Sequence, residues 1–331
     1  MRRPAAVHFP SRITVPAELA RFHDTFDGEA GRAWIAALPD LAHAFLDRWG
    51  LRQDGPPAHG MVALVLPVRR VDGSPAALKL QPVTDESVGE PAALRAWDGD
   101  GAVVLLDHDT ATGTMLLERL DPRRSLLSVP DDITAVRTLA ELLARLVRAP
   151  APDGLRPLGD VAAAMLDEAP GALPALADAD ERALGRSCAA AVREVAGEPG
   201  KQLLHWDLHY ENVLAPLPGS GREPWLAIDP KPLVGDPGFE LLPALHDRWE
   251  DVTATGDVTG AVLRRFDVMT EVLALDRARA ARWTLGRVLQ NALWDIEDAP
   301  QGEGVTLAPE QVAIARALSA HRLEVTPRRR A

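Results

Sequence analysis

Residues 205–214 read His-Trp-Asp-Leu-His-Tyr-Glu-Asn-Val-Leu, with His205, Asp207 and His209 at alternate positions and Asn212 close behind. Three chemistries use such a set. As metal ligands, His205, Asp207 and His209 would share one face of an extended strand. That reading needs further histidines at ligand spacing, and His108 and His246 form no helix-borne pair. As a polar turn after a core strand, the backbone would cap His205 and Asp207 would close an Asx turn. This explains one or two polar residues and leaves the rest. As a phosphoryl-transfer loop, Asp207 orients an acceptor hydroxyl and takes its proton, while Asn212, further round the loop, reaches a Mg²⁺ on the phosphates. The pattern of such a loop is H-R-D-L-x-x-x-N; this chain departs from it only in carrying Trp206 where the pattern has arginine.

Phosphoryl transfer requires more than one loop, and the rest of the chain supplies it in order. A second carboxylate must hold Mg²⁺ from a neighbouring strand end; residues 225–229, Trp-Leu-Ala-Ile-Asp, form an apolar strand ending in Asp229. A phosphate-binding lysine belongs on a strand of a smaller sheet, and Lys79 sits alone in the apolar run 76–80, on the second arm of a hairpin signalled by Asp72-Gly73. Its helical carboxylate partner is either Glu86 or Glu90. Pro91 disfavours helical geometry at Glu90, or else sets Glu90 at the helix start. Residues 58–60, ending in Gly60, predict the turn over the phosphates, with one glycine where such loops commonly have three. Adenine is expected against the backbone from Glu118 to Leu120, where the two lobes join.

The elements follow from periodicity. Helices are predicted over 29–49 (bent or split at Pro39), 86–97, 131–147, 161–168, 180–196, 241–249, 258–275, 278–296 and 309–321, and strands over 61–68, 76–81, 102–108, 114–119, 202–205 and 225–228. The Pro/Gly-rich stretch 149–159 reads as loop. The expected fold is α+β and two-lobed: a small β-rich lobe over residues 1–120 carrying the nucleotide, and a larger, mainly helical lobe over 121–331 carrying the catalytic loop, metal and acceptor. With 331 residues, 47% hydrophobic content and 25% charged, each lobe has the means for a core.

A formal net charge of −12 and the absence of a basic stripe interleaved with aromatics argue against nucleic acid and suit a cationic small molecule. The Arg328 to Arg330 run is terminal and reads as a solvated tail. One cysteine, Cys188, excludes a disulfide framework and reads as a small buried residue. The start MRRPAAVHFPSRI is followed by no apolar stretch, and the longest apolar run, 61–67, is too short to span a bilayer. A cytoplasmic protein without membrane contact is expected, as a monomer or weak homodimer.

The stretches GRAWIAALP, LKLQ, LRAWDGDGAVVLLDHD, MLLERLD, LLHWDLHYENVLA, PWLAIDPKPLVGDPGFELLPAL and LQNALWDIED, together spanning most of residues 31–298, resemble the aminoglycoside phosphotransferases. Within them, the chain is similar to the streptomycin 6-phosphotransferase branch of the aminoglycoside/hydroxyurea resistance kinases. The resemblance implies a protein-kinase-like fold, ATP and Mg²⁺ as cofactors, and phosphate transfer to a hydroxyl of an aminocyclitol ring. By motif it implies Asp207 as catalytic base, Asn212 and Asp229 as Mg²⁺ ligands and Lys79 on the α and β phosphates. The family's usual His-Gly-Asp-Leu-His becomes His-Trp-Asp-Leu-His here. An acceptor carrying two guanidinium groups calls for carboxylates able to accept paired hydrogen bonds. The C-terminal lobe offers Asp236, Glu240, Asp247, Glu250, Asp295, Glu297 and Asp298; of these Asp236, Glu240, Asp295 and Asp298 are taken as the candidates, with Trp294 as a stacking surface. Asp236 has a second reading, as a brace for the loop around Asp229, and His205 and His209 are expected to orient the catalytic loop.

Overall fold

The computed structural model describes residues 13–299 and 304–320. The opening MRRPAAVHFPSR and the Arg328 to Arg330 run lie outside the described residues. The chain divides into two compact units, one formed by Met1–Leu120 with Pro216–Gly221, the other by Asp121–Ala215 with Arg222–Ala331.

In the first unit, α1 (Ala17–Phe26) and α2 (Gly28–Arg48) precede β1 (Arg52–Gln53), β2 (Ala58–His59), β3 (Leu64–Arg69), β4 (Pro75–Leu80), α3 (Glu90–Trp97), β5 (Leu105–Asp109) and β6 (Thr114–Glu118). The strands form an antiparallel sheet in the order β1-β3-β4-β6-β5, with β2 also on β3. The strict alternation of buried and half-buried residues along β3 turns Leu64, Leu66 and Val68 to one face. There they meet Leu78 and Leu80 of β4 and Leu38, Ala42 and Phe45 of α2 in one hydrophobic core. Lys79, between Leu78 and Leu80, is thereby directed to the other face, and this alternation is what delivers the lysine to α3. The predicted Asp-Gly turn closes the β3–β4 hairpin: Asp72 Oδ1 accepts from Ser74 N–H at 2.8 Å, and Gly73 takes φ 84°.

Three local expectations are corrected here. The first hairpin arm starts at Leu64 rather than Met61, because Gly60 N–H donates to Ala63 O at 3.0 Å and closes a turn over 60–63. The helix predicted from residue 86 starts at Glu90, with Pro91 in its first turn, where proline's missing N–H costs nothing. Helix α2 runs unbroken through Pro39; its buried face of Leu38, Ala42 and Phe45 outweighs the one lost hydrogen bond. Helix α1, unassigned from the sequence, buries only Leu19 and His23.

The second unit holds β7 (Leu120–Ser125), α4 (Asp132–Leu146), β8 (Arg156–Pro157), α5 (Leu158–Ala172), α6 (Ala179–Val195), β9 (Gln202–Leu204), β10 (Val213–Pro216), β11 (Leu226–Ala227), β12 (Leu233–Gly235), α7 (Leu241–His246), α8 (Trp249–Ala254), α9 (Val258–Val272), α10 (Arg277–Glu297) and α11 (Pro309–Ala320). Two three-stranded sheets, β11-β10-β7 and β8-β12-β9, frame the loop after β9. Gly200 (φ 86°) crosses Gly235 so closely that a Cβ there would lie 2.5 Å from the Gly235 carbonyl carbon. The single helix predicted over 241–249 is instead two. Arg248 turns into the left-handed region at φ 48°, and its guanidinium donates to Val129 O at 2.7 Å and Pro130 O at 3.1 Å. Cys188 is fully buried in α6, and burial pushes its thiol up to about 12, so it is an unreactive core residue. Among the described residues, no helix is long and apolar enough to cross a membrane.

Candidate functional site

Strand β9 ends at Leu204, and the loop 205–212 follows it. The His205 ring is fully buried. Its Nε2–H donates to Ile228 O at 2.9 Å, and its Nδ1 accepts the Asp207 N–H at 3.4 Å. One nitrogen donates and the other accepts, which requires the neutral ring; burial agrees, pushing its pKa down to about 4. Both ring nitrogens are used inside the protein, so His205 ligates no metal and the three-ligand reading falls with it.

The same residue ties the loop to the strand that ends in Asp229. His205 O accepts from Lys231 N–H at 3.0 Å, and Ile228 N–H donates to Asn212 O at 2.9 Å. Asn212 N–H donates to His209 O at 3.0 Å, while Asn212 Nδ2 donates to Asp207 O at 2.8 Å. From the other side, Tyr210 N–H donates to Asp247 Oδ2 at 2.7 Å. Asp207, Asn212 and Asp229 are therefore held on one hydrogen-bonded frame. With its nitrogen engaged, Asn212 presents its amide oxygen as the end able to meet a cation. Among the described residues no cluster of three or more His, Cys, Asp or Glu could hold a metal by itself. A Mg²⁺ carried by substrate phosphates needs no such cage, since one or two protein oxygens complete it. The pair Asn212 and Asp229 fits that demand.

Two backbone positions on this frame are unusual. Trp206 has φ 67° and Asp229 φ 55°, a region that side chains other than glycine's enter at a cost. Trp206 stays there because its ring, 1% exposed, is clamped. The Arg156 guanidinium lies 5.0 Å from the ring centroid, that of Arg287 lies 4.9 Å away, and the Trp294 ring follows at 5.9 Å. Such cation–π contacts strengthen when desolvated. The usual glycine at this place in the motif would accept the same φ with no clamp.

Lys231 escaped the sequence reading. Its Nζ lies 3.5 Å from Asp207 Oδ2. The signal was present: Lys231 stands two residues after Asp229, inside one of the stretches that carry the family resemblance.

Two of the expected acceptor carboxylates are spent on the fold. Glu240 is fully buried; its Oε1 accepts the His205 N–H at 2.6 Å, so it supports the loop 205–212 from beneath and cannot reach an acceptor. Burial pushes its carboxyl up to about 8. Asp236 is buried too: Oδ1 caps Gly238 N–H at 2.8 Å and Oδ2 accepts from Arg279 Nε at 2.6 Å. The exposed group at the end of α10 differs. Trp294, Asp295 and Asp298 all reach solvent, and Arg287 lies 5.1 Å from the Trp294 ring centroid. Partial burial, then the neighbouring Asp298 and Glu310, push the Asp295 carboxyl upward.

In the first unit, Lys79 Nζ donates to Glu90 Oε1 at 2.7 Å and Oε2 at 2.8 Å, and Gln81 Nε2 donates to Oε2 at 2.6 Å. Lys79, Gln81 and Glu90 are all buried, whereas Glu86 lies in the turn before α3. The turn at Gly60 is tied back by His23 Nε2, 3.1 Å from Val62 O, with His23 Nδ1 2.5 Å from Asp27 Oδ2. Glu118 ends β6 next to Leu120, and its Oε2 accepts the Val104 N–H at 3.3 Å.

Comparison with known proteins bears on this site directly. Residues 48–299 match the aminoglycoside/hydroxyurea antibiotic resistance kinase family. A streptomycin 6-kinase of Streptomyces glaucescens is 57% identical over 309 residues, covering 93% of this chain and 98% of the relative. A hydroxyurea phosphotransferase of Kitasatospora aureofaciens is 55% identical over 320 residues, covering 96% and 88%. Among solved structures, amicoumacin kinase hAmiN in complex with AMP-PNP, Ca²⁺ and Ami superposes with a TM-score of 0.57 at 14% identity, covering 87% of this chain and 95% of that one. At that identity the likeness concerns the fold, which is that of the protein-kinase-like small-molecule kinases.

Proposed function

Because the chain belongs to the aminoglycoside/hydroxyurea antibiotic resistance kinase family, we propose that it transfers the γ-phosphoryl group of ATP to the 6-hydroxyl of the streptomycin aminocyclitol and so inactivates the antibiotic. The observation that carries this reading is the loop 205–212: Asp207 stands part-exposed on a frame anchored by the buried His205 ring, hydrogen-bonded to Ile228 O, and by the Asn212 amide, hydrogen-bonded to Asp207 O. Asp207 accepts the acceptor's hydroxyl proton. Asn212 and Asp229 would hold Mg²⁺, which when bound neutralises charge on the phosphates. Lys79, oriented by Glu90, holds the α and β phosphates, the turn at Gly60 covers them, and the backbone from Glu118 to Leu120 receives adenine. Most of the rate would come from positioning and electrostatic stabilisation.

Trp294, Asp295 and Asp298 form the acceptor's guanidinium site. The contact of Arg287 with the Trp294 ring supports this, because a guanidinium already lies against that ring. So does the upward push on Asp295, which comes first from burial and then from its acidic neighbours, the part that a cation would relieve. The reading has the enzyme working in the cytoplasm, where ATP is at hand, as a monomer or weak homodimer.

A second acceptor has a specific observation behind it: the hydroxyurea phosphotransferase is nearly as similar to this chain as the streptomycin 6-kinase. A coupled ADP-release assay with Mg²⁺-ATP and each acceptor in turn separates the two. The proposal expects streptomycin-dependent release at a far higher kcat/KM than with hydroxyurea. The reverse order would replace the acceptor and leave the kinase.

A further inference from the structure

We infer that Asp247 is a positioning residue for the transfer step: its carboxylate grips the loop at Tyr210 N–H and so fixes the turn that carries Asn212 round to Asp207. The inference rests on the phosphoryl-transfer reading above.

Between Asp207 and Asn212 the chain makes a tight turn, Tyr210–Asn212, in which Asn212 N–H donates to His209 O at 3.0 Å. A helical turn leaves its first N–H groups without partners inside it. His209, which precedes the turn, supplies no side-chain cap. The acceptor comes instead from far along the chain: Asp247 Oδ2 takes the Tyr210 N–H at 2.7 Å. The buried Tyr210 ring holds the residue in place, and the carboxylate sets the direction of its N–H, where the turn begins. Asn212 Nδ2 donates to Asp207 O at 2.8 Å, so the start of the turn governs where both side chains stand.

The segment that presents Asp247 is anchored by other groups. Arg265, fully buried, donates through Nη1 to Leu245 O at 3.0 Å and to Asp247 O at 2.6 Å. Its Nε and Nη2 donate to the Asp132 carboxylate at 3.0 and 2.5 Å. Arg248 reaches Val129 O and Pro130 O, just before α4. These bonds fasten the turn between α7 and α8 to the start of α4 and to α9, and none of them uses the Asp247 carboxylate. That carboxylate is an arm on a rigid base, and it is placed there against a cost. Burial pushes its pKa up to about 6, and the Tyr210 N–H is the largest of the influences that draw it back, ahead of His209 and Arg265. Taking a charge out of water offsets much of what one hydrogen bond returns, so stability alone is a poor reason for it. Geometry is a better one: a misplacement of about 1 Å at reacting groups slows a reaction by about 10²-fold.

The experiment compares wild type with Asp247→Asn, which keeps an oxygen for Tyr210 N–H, and Asp247→Leu, which has nearly the same shape and no acceptor. Asp247→Ala repeats the second case with a smaller side chain. Rates are read by ADP release with Mg²⁺-ATP and streptomycin or hydroxyurea, well below each variant's melting temperature. Amide hydrogen exchange is followed by mass spectrometry on the chain without nucleotide or metal. For Asp247→Leu the expected kcat is lower by about 10²-fold, with KM for the acceptor within about twofold of wild type. Exchange over 205–212 should be faster by about tenfold or more while α10 keeps its wild-type protection. Asp247→Asn should return kcat to within about threefold of wild type. A kcat within about threefold of wild type for both Asp247→Leu and Asp247→Ala overturns the inference. So does exchange that rises uniformly along the chain or not at all, or Asp247→Asn as slow as Asp247→Leu. A wild type that phosphorylates neither acceptor overturns the proposed function and this inference with it, whereas an active wild type with unaffected variants removes Asp247 alone.

Discussion

Replacing Glu90 by alanine removes the acceptor of three hydrogen bonds at once: two from Lys79 Nζ and one from Gln81 Nε2. Lys79 is 3% exposed and Glu90 2%, so the ammonium is left charged in a place that water barely enters. Breaking a buried pair by deleting one partner costs about 3–5 kcal/mol, and the Gln81 amide that loses its acceptor adds about 1 kcal/mol. Urea unfolding followed by tryptophan fluorescence reads this as a midpoint lowered by roughly 1–2 M. Activity falls as well, because Lys79 is no longer aimed. The double variant Lys79→Met/Glu90→Met separates the two effects. It removes both charges and fills the space with apolar atoms, a replacement that is often neutral in stability. It should therefore recover to within about 1–2 kcal/mol of wild type while phosphoryl transfer stays lost. A Glu90→Ala variant that loses less than about 1 kcal/mol, or a double variant as unstable as the single, would refute the reasoning.

Further outcomes follow from the frame beneath Asp207. Glu240, with its carboxyl pushed up to about 8 from an ordinary 4.5, holds in the folded chain a proton that the unfolded chain releases. Its stabilising contribution is therefore complete below about pH 4.5 and is lost as the pH rises through about 8, a change on the order of 5 kcal/mol. Glu240→Gln keeps an acceptor for His205 N–H without a proton to lose, so unfolding free energies at about pH 5 and about pH 9 should differ less than in wild type; an unchanged slope would exonerate Glu240. At Trp206, alanine should cost about 3–5 kcal/mol through the emptied cavity, and glycine about 1 kcal/mol less than alanine, because φ 67° strains any Cβ. Equal melting temperatures for the two variants would count against that strain. Asp295→Asn/Asp298→Asn should raise KM for streptomycin about tenfold or more while leaving KM for ATP and the rate with hydroxyurea unchanged; a uniform loss across acceptors would remove these residues from the acceptor site.

The parts legible in the sequence are those whose causes are local. The alternation in 64–69 and the Asp72-Gly73 turn define a hairpin without outside help, and the order of apolar strand, loop and second strand around 202–229 announces the frame that carries Asp207, Asn212 and Asp229. Where partners are distant, the sequence is silent. Strands β8 and β12 are two and three residues long, and β8 lies in a Pro/Gly-rich stretch read as loop; its parallel pairing with β12, Arg156 with Leu233, makes it a strand, and β12 in turn pairs antiparallel with β9. Glu240 reads like any acidic residue before an apolar helix, and its burial under His205 exists only in three dimensions. Trp206 gives no local warning of its left-handed backbone, because Arg156 and Arg287, which hold it there, come from elements far along the chain. Lys231 was visible as a residue and invisible as a neighbour of Asp207, since that proximity depends on the His205–Lys231 hydrogen bond.

The central claim is that Asp207, on this frame, is the base for phosphoryl transfer to streptomycin. It is tested most directly by the mass of streptomycin after incubation with Mg²⁺-ATP and either wild type or Asp207→Ala, with nucleotide binding measured on both proteins. The account predicts one added phosphoryl group with wild type, and transfer slowed by about 10³-fold or more in the variant, which still binds ATP. Streptomycin phosphorylated at a near-normal rate by Asp207→Ala, or left unmodified by a wild type that binds ATP, would contradict it.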